Sequence, residues 1–420
     1  MKEICLLNDS FPPEIDGVAN AVVNYAQVLE NRNIPVSVIT PEYENADDSA
    51  FHFPVLRYSS MDLREKTGYT AGIPLSYRLL SKLEGHNVGL LHSHCPIAST
   101  LLARSLRESL DVPLVMTYHT KFDIDIRNLF RMKLLQEGSI RALVNNVSAC
   151  DEVWTVSKGA GENLRKLGYE GDYIVMENGV DIPKGRVSEE VILRYTGMYD
   201  LPHGVSVFLF VGRLMWYKGI RIILDALAAL CSQGLDFRMV FIGSGTDKDA
   251  IRQYTHQLGL DGKCLFTGPI YDREELTAWY CRANLFLFPS TFDTSGLVVK
   301  EAAACSLASI LVKGSCAAEG AIHQRNSFLI EENAASLAVC LAMLLQDKPR
   351  MTSVGKAAAE ELYLSWDAAI EKAIRRYGTV MENYAAGRYK DHHRPADNLF
   401  KLESALDELL VELKNHINRD

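Results

Sequence analysis

Short apolar runs typical of buried β-strands alternate with amphipathic helical patterns along the chain, and this alternation constrains the fold more than any other feature. The first set of apolar runs lies at 4–7, 36–40, 89–92, 114–117, 152–156 and 173–176. The second set lies at 207–211, 237–242, 264–267, 285–288 and 309–312. Helical patterns separate these runs at 19–30, 99–110, 159–167, 220–231, 247–258, 273–282, 297–304 and 334–345. Because a helix between parallel strands forms a right-handed crossover, the pattern predicts an α/β protein with two doubly wound, Rossmann-like domains.

Three further segments complete the predicted organisation. The stretch 184–203 is polar and punctuated by proline and glycine, which predicts a linker between domains at 1–183 and 204–365. A helical stretch at 366–389 follows the second domain. The segment 390–420 has apolar residues three and four apart, which predicts an amphipathic helical tail. The tail could dock on the rest of the chain or form a homodimer, and the pattern does not separate the two.

Composition and charge narrow the classes of function. The chain has 420 residues, too many for one ordinary core, and its net charge of -9 does not attract nucleic acid. Nine cysteines are scattered without a Cys-x-x-Cys pair, which is typical of reduced thiols in a reducing compartment. No apolar run approaches the ~18 residues of a membrane span, and the start lacks the pattern of a secretory signal. We therefore expect a cytoplasmic protein.

The motif with the most chemical content is Pro289-Ser-Thr-Phe-Asp293-Thr-Ser-Gly296-Leu-Val-Val-Lys-Glu301. It follows an apolar run, so it predicts a strand, a tight turn that holds Asp293, and a helix that holds Glu301. Both carboxylates can then accept hydrogen bonds from one ligand. The unpaired amides at the start of the helix favour an anionic group such as a phosphate. A nucleotide sugar combines these two kinds of group.

A second motif supplies positive charge. Arg213 and Lys218 stand five residues apart in Gly212-Arg-Leu-Met-Trp-Tyr-Lys-Gly219, after a predicted strand and before a predicted helix. Two cations in that place can stabilise a diphosphate as its bond to a sugar breaks. The glycines at 243 and 245 end another strand, but position 248 is lysine where a dinucleotide fingerprint requires glycine. Bound NAD is therefore not expected.

These motifs resemble those of the retaining glycosyltransferases of family 4, which have the two-domain GT-B fold with the domains facing across a cleft. Further matching segments occur in the family's order: Phe11-Pro-Pro-Glu-Ile-Asp-Gly17-Val, Thr117-Tyr-His119-Thr, Val156-Ser157, Asn178-Gly-Val-Asp181, Val211-Gly-Arg213, Lys218-Gly219 and Ile242-Gly-Ser-Gly245. The resemblance implies transfer of a hexose from a nucleotide sugar, UDP-glucose or a similar UDP-sugar, to a hydroxyl acceptor with retention of configuration. It also implies that the helical stretch at about 366–389 crosses back and completes the amino-terminal domain. It implies no metal and no cofactor.

The resemblance also implies roles for individual residues. Arg213 and Lys218 would steady the departing diphosphate, Asp293 and His119 would meet the donor sugar, and Glu301 would accept hydrogen bonds from the ribose. The remaining donor-binding residues implied in this way are Gly17, Gly212, Gly243, Gly245, Ser295, Gly296 and Leu297. His92 and His94 could suggest a metal site, but no third ligand has suitable spacing, so a packing role is preferred.

Several positions depart from the family pattern. Asp293 replaces a glutamate, Ser306 and Ala308 replace a glycine and a proline, and Gln324 and Ser327 replace two glycines. Loss of glycine where the backbone must be left-handed costs about 1 kcal/mol or more. These departures motivate one alternative, a catalytically silent scaffold that binds nucleotide sugars. A second alternative is a nucleotide-sugar epimerase of the same two-domain fold.

The acceptor is open among soluble glycans, carrier-linked glycans and glycerolipids. The stretch 126–144 combines apolar residues with Arg127, Arg131 and Lys133, a composition that suits weak peripheral contact with the inner face of a membrane. The amino-terminal half is acidic, which opposes binding to anionic lipid.

Overall fold

Two parallel sheets organise the chain in the computed structural model, which describes residues 2–14, 16–62, 70–74, 77–83, 85–122, 126, 132–202 and 204–389. The first unit runs to Glu177 and resumes at Trp366, and the second unit is Asn178–Ser365. Both units have the Rossmann-like α/β architecture that the sequence predicts. Of the helices in the described ranges, none combines the length and apolar character needed to cross a membrane.

The first unit contains a seven-stranded sheet. Its strands and the nearby hairpin are β1 (Glu3–Leu7), β2 (Val36–Pro41), β3 (Val55–Tyr58), β4 (Ser60–Asp62), β5 (Thr70–Gly72), β6 (Val88–Ser93), β7 (Leu114–Tyr118), β8 (Glu152–Thr155) and β9 (Ile174–Val175). The sheet order is β3-β2-β1-β6-β7-β8-β9, and β4 pairs with β5 separately. The helices among the described residues before 177 are Gly17–Asn31, Tyr77–Leu83, Ala98–Leu110, Lys133–Ser148 and Lys158–Lys166.

The helix Trp366–Ala385 belongs to the first unit although the second unit precedes it in the chain. Its side chains reach three strands through these bonds: Tyr377 Oη to His92 Nδ1 at 2.6 Å, Arg376 Nε to Glu152 Oε2 at 2.9 Å, and Lys372 Nζ to the Val175 carbonyl at 2.9 Å. The ring of Tyr377 also stacks on Trp154. The helix therefore completes the core around β6, β8 and β9.

The second unit contains a six-stranded sheet. Its strands are β10 (Ser206–Val211), β11 (Phe237–Ile242), β12 (Cys264–Gly268), β13 (Leu285–Phe288), β14 (Ser309–Val312) and β15 (Phe328–Ile330), in the order β12-β11-β10-β13-β14-β15. The helices are Glu189–Thr196, Ile220–Ser232, Lys248–Gln257, Arg273–Arg282, Leu297–Ala304, Ala334–Gln346 and Lys348–Glu361. β10 is buried along its whole length, which explains its uninterrupted apolar sequence.

The segment 184–203, predicted as a linker, differs from that prediction. Its described residues belong to the second unit and include the helix Glu189–Thr196, which buries Ile192 and Thr196. The unit begins at 178 rather than 184 because the amide of Val180 donates to the carbonyl of Leu364 at 2.9 Å. The predicted tail at 390–420 lies outside the described residues.

Candidate active site

The carboxyl ends of three neighbouring strands carry the predicted donor-binding residues of the second unit. β10 pairs with β11 on one side and with β13 on the other, and all of these pairs are parallel. The loop after β10 holds Gly212, Arg213 and Lys218, and the loop after β11 holds Gly243 and Gly245. The loop after β13 holds Asp293, Ser295 and Gly296, followed by Leu297 at the start of its helix. The topology therefore brings these residues to one edge of the sheet.

The glycines of the first two loops allow the two backbones to touch. The amide of Leu214 donates to the carbonyl of Ser244 at 2.9 Å. A Cβ atom on Gly243 would lie 2.0 Å from the carbonyl oxygen of Gly212, and one on Gly245 would lie 2.4 Å from that of Leu214. Packing between the loops therefore explains why these positions are glycine, and their contact with a donor stays a prediction.

Lys218 and Asp293 are paired with each other. The ammonium of Lys218 lies 2.5 Å from Oδ1 of Asp293, and the hydroxyl of Ser290 donates to Oδ2 at 2.5 Å. Lys218 is only 8% exposed. Gly219 brings the two loops together, because its φ is +78° and a Cβ there would lie 2.2 Å from the carbonyl oxygen of Pro289. The sequence predicted a phosphate for the lysine and a sugar for the aspartate, and did not predict that they pair.

Arg213 differs from Lys218 in its surroundings. Its side chain is exposed, and its guanidinium carbon lies 6.0 Å from the centre of the Tyr217 ring. Within the described part of the chain it forms no ion pair with a carboxylate. The two predicted phosphate-binding cations are thus in different states, one already neutralised and one available to an anion.

The helix Leu297–Ala304 begins without a side-chain cap. Gly296, the residue before it, has φ +57°, and a Cβ there would lie 2.8 Å from the Cα of Ala317. As a glycine, Gly296 offers no side-chain oxygen to which the first amides of the helix could donate, so the helix start has the geometry that favours an anion. Binding of a phosphate at this helix start stays a prediction.

Glu301 lies within the same helix but has its own set of partners. The hydroxyl of Tyr280 donates to Oε2 at 2.8 Å, and a guanidinium nitrogen of Arg273 lies 3.5 Å from Oε1. Arg273 also bonds to Asp181 at 2.9 Å. Burial raises the pKa of Glu301, and the bonds from Tyr280 and Arg273 partly oppose that rise. Sequence reasoning missed Tyr280 and Arg273, although Asp181 belongs to a matched segment.

Gly17 is the first residue of the helix Gly17–Asn31 in the first unit. Among the described residues, no atom beyond its chain neighbours and its own helix backbone lies within 4 Å of a Cβ built at this glycine, so their packing does not explain the glycine. Oδ1 of Asp16 accepts from the amides of Val18 and Ala19 at 2.8 and 2.7 Å. The protein's own carboxylate therefore occupies two of the amides at this helix end.

His119 follows β7 and is buried against His94. Nε2 of His119 and Nδ1 of His94 form a hydrogen bond of 2.9 Å. His92 bonds to Thr117 through Nε2 at 2.7 Å and to Tyr377 through Nδ1. Burial lowers the pKa of His119 to about 3 and holds those of His92 and His94 well below their ordinary range. The contact between His94 and His119 was not predicted, although each follows a predicted strand.

Of the departures from the family pattern, two have the backbone conformation that glycine favours. Ser306 has φ +56° and Gln324 has φ +62°. Ser327 is buried but does not have a positive φ, and neither does Ala308. The predicted conformational cost therefore applies at Ser306 and Gln324 and does not apply at Ser327. In the described ranges, no group of three or more His, Cys, Asp or Glu side chains is placed to hold a metal ion.

Comparison with known proteins gives relatives along most of the chain. An alpha-monoglucosyldiacylglycerol synthase of Streptococcus pneumoniae is 21% identical over 313 residues, which cover 72% of this chain and 69% of the relative. A sulfoquinovosyl transferase of Arabidopsis thaliana is 25% identical over 370 residues, which cover 85% of this chain and 69% of the relative. A GDP-mannose-dependent alpha-mannosyltransferase of Corynebacterium glutamicum is 24% identical over 315 residues, 73% of this chain and 71% of the relative.

Solved structures share the fold. Anabaena HepE in complex with UDP has a TM-score of 0.72 at 19% identity, and the match covers 90% of this chain and all of that one. The sequence model for glycosyl transferases group 1 matches residues 198–361. The model for glycosyltransferase family 4 matches residues 15–184. With both of its units matched in order, the chain belongs to the group 1, family 4-like glycosyltransferases with the GT-B fold.

Proposed function

We propose that this glycosyltransferase moves a hexose from a UDP-sugar, UDP-glucose first, to a hydroxyl acceptor with retention of the anomeric configuration. The observation that carries the proposal is the pair of cations after β10. Arg213 is exposed without a carboxylate partner in the described residues, and Lys218 lies in the same loop on Asp293. A diphosphate is the ligand that two such cations and an uncapped helix start would hold together.

Donor binding then involves an exchange of partners. A donor phosphate would replace Asp293 on Lys218, and the released carboxylate would accept hydrogen bonds from the sugar hydroxyls. Glu301 would accept hydrogen bonds from the ribose hydroxyls, which would replace its contact with Arg273. The bond between the anomeric carbon and the phosphate oxygen breaks, and the departing diphosphate takes the proton of the acceptor hydroxyl. The acceptor oxygen then bonds to the anomeric carbon on the face that the diphosphate leaves. Arg213 and Lys218 stabilise the growing negative charge.

An assay of purified protein with UDP-, GDP- and ADP-sugars tests this proposal. Released nucleotide and sugar products are followed by mass spectrometry. Arg213→Ala combined with Lys218→Ala should lower turnover about a hundredfold or more, because charge stabilisation of the leaving group is lost. Arg221→Ala is the matched control, since that guanidinium packs on Trp216 and Tyr254 at 4.6 and 4.5 Å. Unchanged turnover in the double variant would defeat the site assignment.

The same assay separates the two alternatives. A silent scaffold would bind nucleotide without turnover, as the departures at Asp293 and Ser306 suggest. An epimerase would isomerise the donor when no acceptor is present. The proposed transferase requires the acceptor for sugar transfer, and its product keeps the configuration at the anomeric carbon, which proton NMR of the product reads directly.

Of the acceptor classes, a glycerolipid is favoured by an exposed apolar cluster at the start of the helix Lys133–Ser148. Met132, Leu134 and Leu135 are 61%, 75% and 47% exposed, and Lys133 lies among them. Such residues suit the interface of a bilayer. The relative from Streptococcus pneumoniae is named for diacylglycerol. A lipid acceptor at a membrane surface is therefore the first acceptor to test.

Flotation with anionic vesicles tests the proposal that the acceptor is a lipid at a membrane surface. The protein should float, and Leu134→Ser combined with Leu135→Ser should abolish flotation because the apolar contact is lost. Val339→Ser is the control, since Val339 is exposed in the second unit. Failure of the wild-type protein to float would leave glycans and carrier-linked glycans as acceptors.

A further inference from the structure

Tyr280 joins two helices of the second unit through its hydroxyl. It lies in the helix Arg273–Arg282 and donates to Oε2 of Glu301, in the helix Leu297–Ala304, at 2.8 Å. The tyrosine is fully buried, and its ring packs on Phe286 of β13 with ring centres 5.8 Å apart. Among the described residues, the bond to Glu301 is the one hydrogen bond of this hydroxyl. The sheet core therefore fixes the place from which the hydroxyl donates.

The charges of the two groups fix the direction of this bond. Burial raises the pKa of Tyr280 well above its ordinary range, and the charge of Glu301 adds to this rise. The phenol therefore keeps its proton, whereas an ionised carboxylate can only accept. Burial also raises the pKa of Glu301, and the bond from Tyr280 opposes that rise. Tyr280 thus favours the charged form of a carboxylate that burial disfavours.

The two oxygens of Glu301 have unlike partners. Oε2 accepts from the buried Tyr280, whereas Oε1 lies 3.5 Å from a guanidinium nitrogen of Arg273, whose side chain is 52% exposed. A strong charge-assisted hydrogen bond is shorter, about 2.8 Å. Arg273 makes its shorter bond with Asp181, at 2.9 Å. Oε1 is therefore the oxygen of Glu301 that another donor can take with the smaller loss.

We propose that Tyr280 is a positioning residue, which holds Oε2 of Glu301 so that Oε1 is the oxygen presented to the ribose hydroxyls of the donor. The clause on the ribose rests on the proposed function, whereas the hold on Glu301 concerns the protein alone. Because it is fully buried, Tyr280 acts through Glu301 rather than by touching the donor. Without the hydroxyl, the carboxylate would be free to turn, and its charged form would be less favoured.

Binding of UDP and of 2′,3′-dideoxy-UDP tests this role, because the second nucleotide lacks both ribose hydroxyls. In calorimetric titrations at pH 7, wild type should bind UDP about tenfold or more tightly than the dideoxy nucleotide. Tyr280→Phe keeps the ring that packs on Phe286, and it should reduce the preference to about threefold or less. Its affinity for the dideoxy nucleotide should stay that of wild type.

Tyr195→Phe is the matched control. It removes a bond of the same kind in the same unit, from the hydroxyl of Tyr195 to Oε2 of Glu274 at 2.7 Å, and it should keep the wild-type preference for UDP. A merely structural defect in Tyr280→Phe would weaken both nucleotides alike and leave their ratio unchanged. An unchanged ratio in Tyr280→Phe would therefore overturn the positioning role.

A carboxyl-carbon NMR titration without ligand provides the second measurement. The protein is labelled with ¹³C-glutamate, and Glu301→Gln assigns the signal of Glu301. The pKa of Glu301 should be higher in Tyr280→Phe than in wild type, because a bond to the charged form is lost while Arg273 and Asp181 remain beside it. The same pKa in both proteins would overturn the hold of Tyr280 on the carboxylate.

Kinetics separate this role from the proposed function. Tyr280→Phe should raise KM for UDP-glucose about threefold or more and leave kcat within about twofold, because the ribose is held alike in the ground state and the transition state. A wild type that transfers no sugar would overturn the proposed function and leave the titration result intact. A wild type that binds the two nucleotides equally would overturn the ribose contact of Glu301, and the positioning role with it.

Discussion

At the scale of single residues, the end of the helix Leu297–Ala304 illustrates a conformational cost. The amide of Leu307 donates to the carbonyl of Ala302 at 3.0 Å, and that of Ser306 donates to Ala303 at 2.9 Å. This bond pattern places Ser306 at the position where glycine usually ends a helix. Its left-handed φ is unfavourable for any residue with a Cβ. The helix that carries Glu301 therefore ends in a strained residue.

Replacement of Ser306 by glycine should stabilise the second unit by about 0.5–1 kcal/mol, because the strain is relieved at the cost of some chain entropy. Gln324→Gly should act in the same direction. Ser327→Gly is the control, since its backbone does not need glycine, and it should not stabilise. Hydrogen exchange of β13 and β14 measures the change. Equal gains at all three positions would contradict the account.

Glu301 gives a prediction about pH. Its folded pKa is raised above the ordinary 4.5, so the folded state holds a proton that the unfolded chain has lost. Stability is therefore lost as the pH rises from 4.5 through the folded pKa. Glu301→Gln should unfold at a higher temperature than wild type at pH 7, and the gain should disappear near pH 4. Donor affinity should fall about tenfold or more, because a charged acceptor is lost. Calorimetry at both pH values and donor titration measure these effects.

At the scale of elements, close contact between loops distinguishes two kinds of glycine at the site. Gly243 touches the backbone of a neighbouring loop, whereas Gly17 faces open space at the start of its helix. The close contact explains glycine at position 243, whereas the contact of Gly17 with a ligand stays a prediction. Sequence patterns alone do not separate the two.

Two alanine substitutions should therefore behave differently. Gly243→Ala should destabilise the second unit by about 2 kcal/mol or more, because its Cβ would overlap a carbonyl and its φ is +137°. Gly17→Ala should leave thermal unfolding unchanged but lower transfer, because its Cβ would enter the space predicted for the donor. Thermal melts and steady-state kinetics of both variants provide the comparison. Wild-type kinetics in Gly17→Ala would remove that glycine from the site.

The central strands of both sheets were predictable from the sequence because they are continuous apolar runs. β11, β13 and β14 begin and end where the sequence predicts, as does the helix that holds Glu301. The helix Glu189–Thr196 was missed because its segment is polar, although Ser188 and two acidic residues mark its start. The pairing of Lys218 with Asp293 could not be predicted, since the two lie 75 residues apart and the contact depends on the close approach of two loops.

At the scale of the whole molecule, three histidines among the described residues are buried, and all three lie in the first unit, at or just after the ends of β6 and β7. Their folded pKa values lie below the ordinary 6.5, to about 3 at His119. The unfolded chain gains protons below pH 6.5 that the folded unit does not accept. Acid therefore destabilises the first unit through protonation of these histidines on unfolding, in addition to any effect of its carboxylates.

The stability of the first unit should fall by about 1.4 kcal/mol per pH unit for each of these histidines as the pH drops from 6.5 towards their folded pKa values. His94→Asn should reduce that slope by the contribution of one histidine. Hydrogen exchange of β6 and β7 between pH 7 and 5 measures this dependence of stability on pH, and the strands of the second unit serve as the internal reference. Identical slopes in wild type and His94→Asn would show that His94 is protonated in the folded protein.

The helix Trp366–Ala385 has a consequence for biosynthesis. All strands of the first unit leave the ribosome early, but the residues that bind His92 and Glu152 emerge only after the entire second unit. Domains usually fold in the order in which they are made. The amino-terminal sheet therefore lacks the helix Trp366–Ala385 until the second unit has been synthesised. A chain that stops at residue 365 would keep a complete second unit and release an unfinished first one.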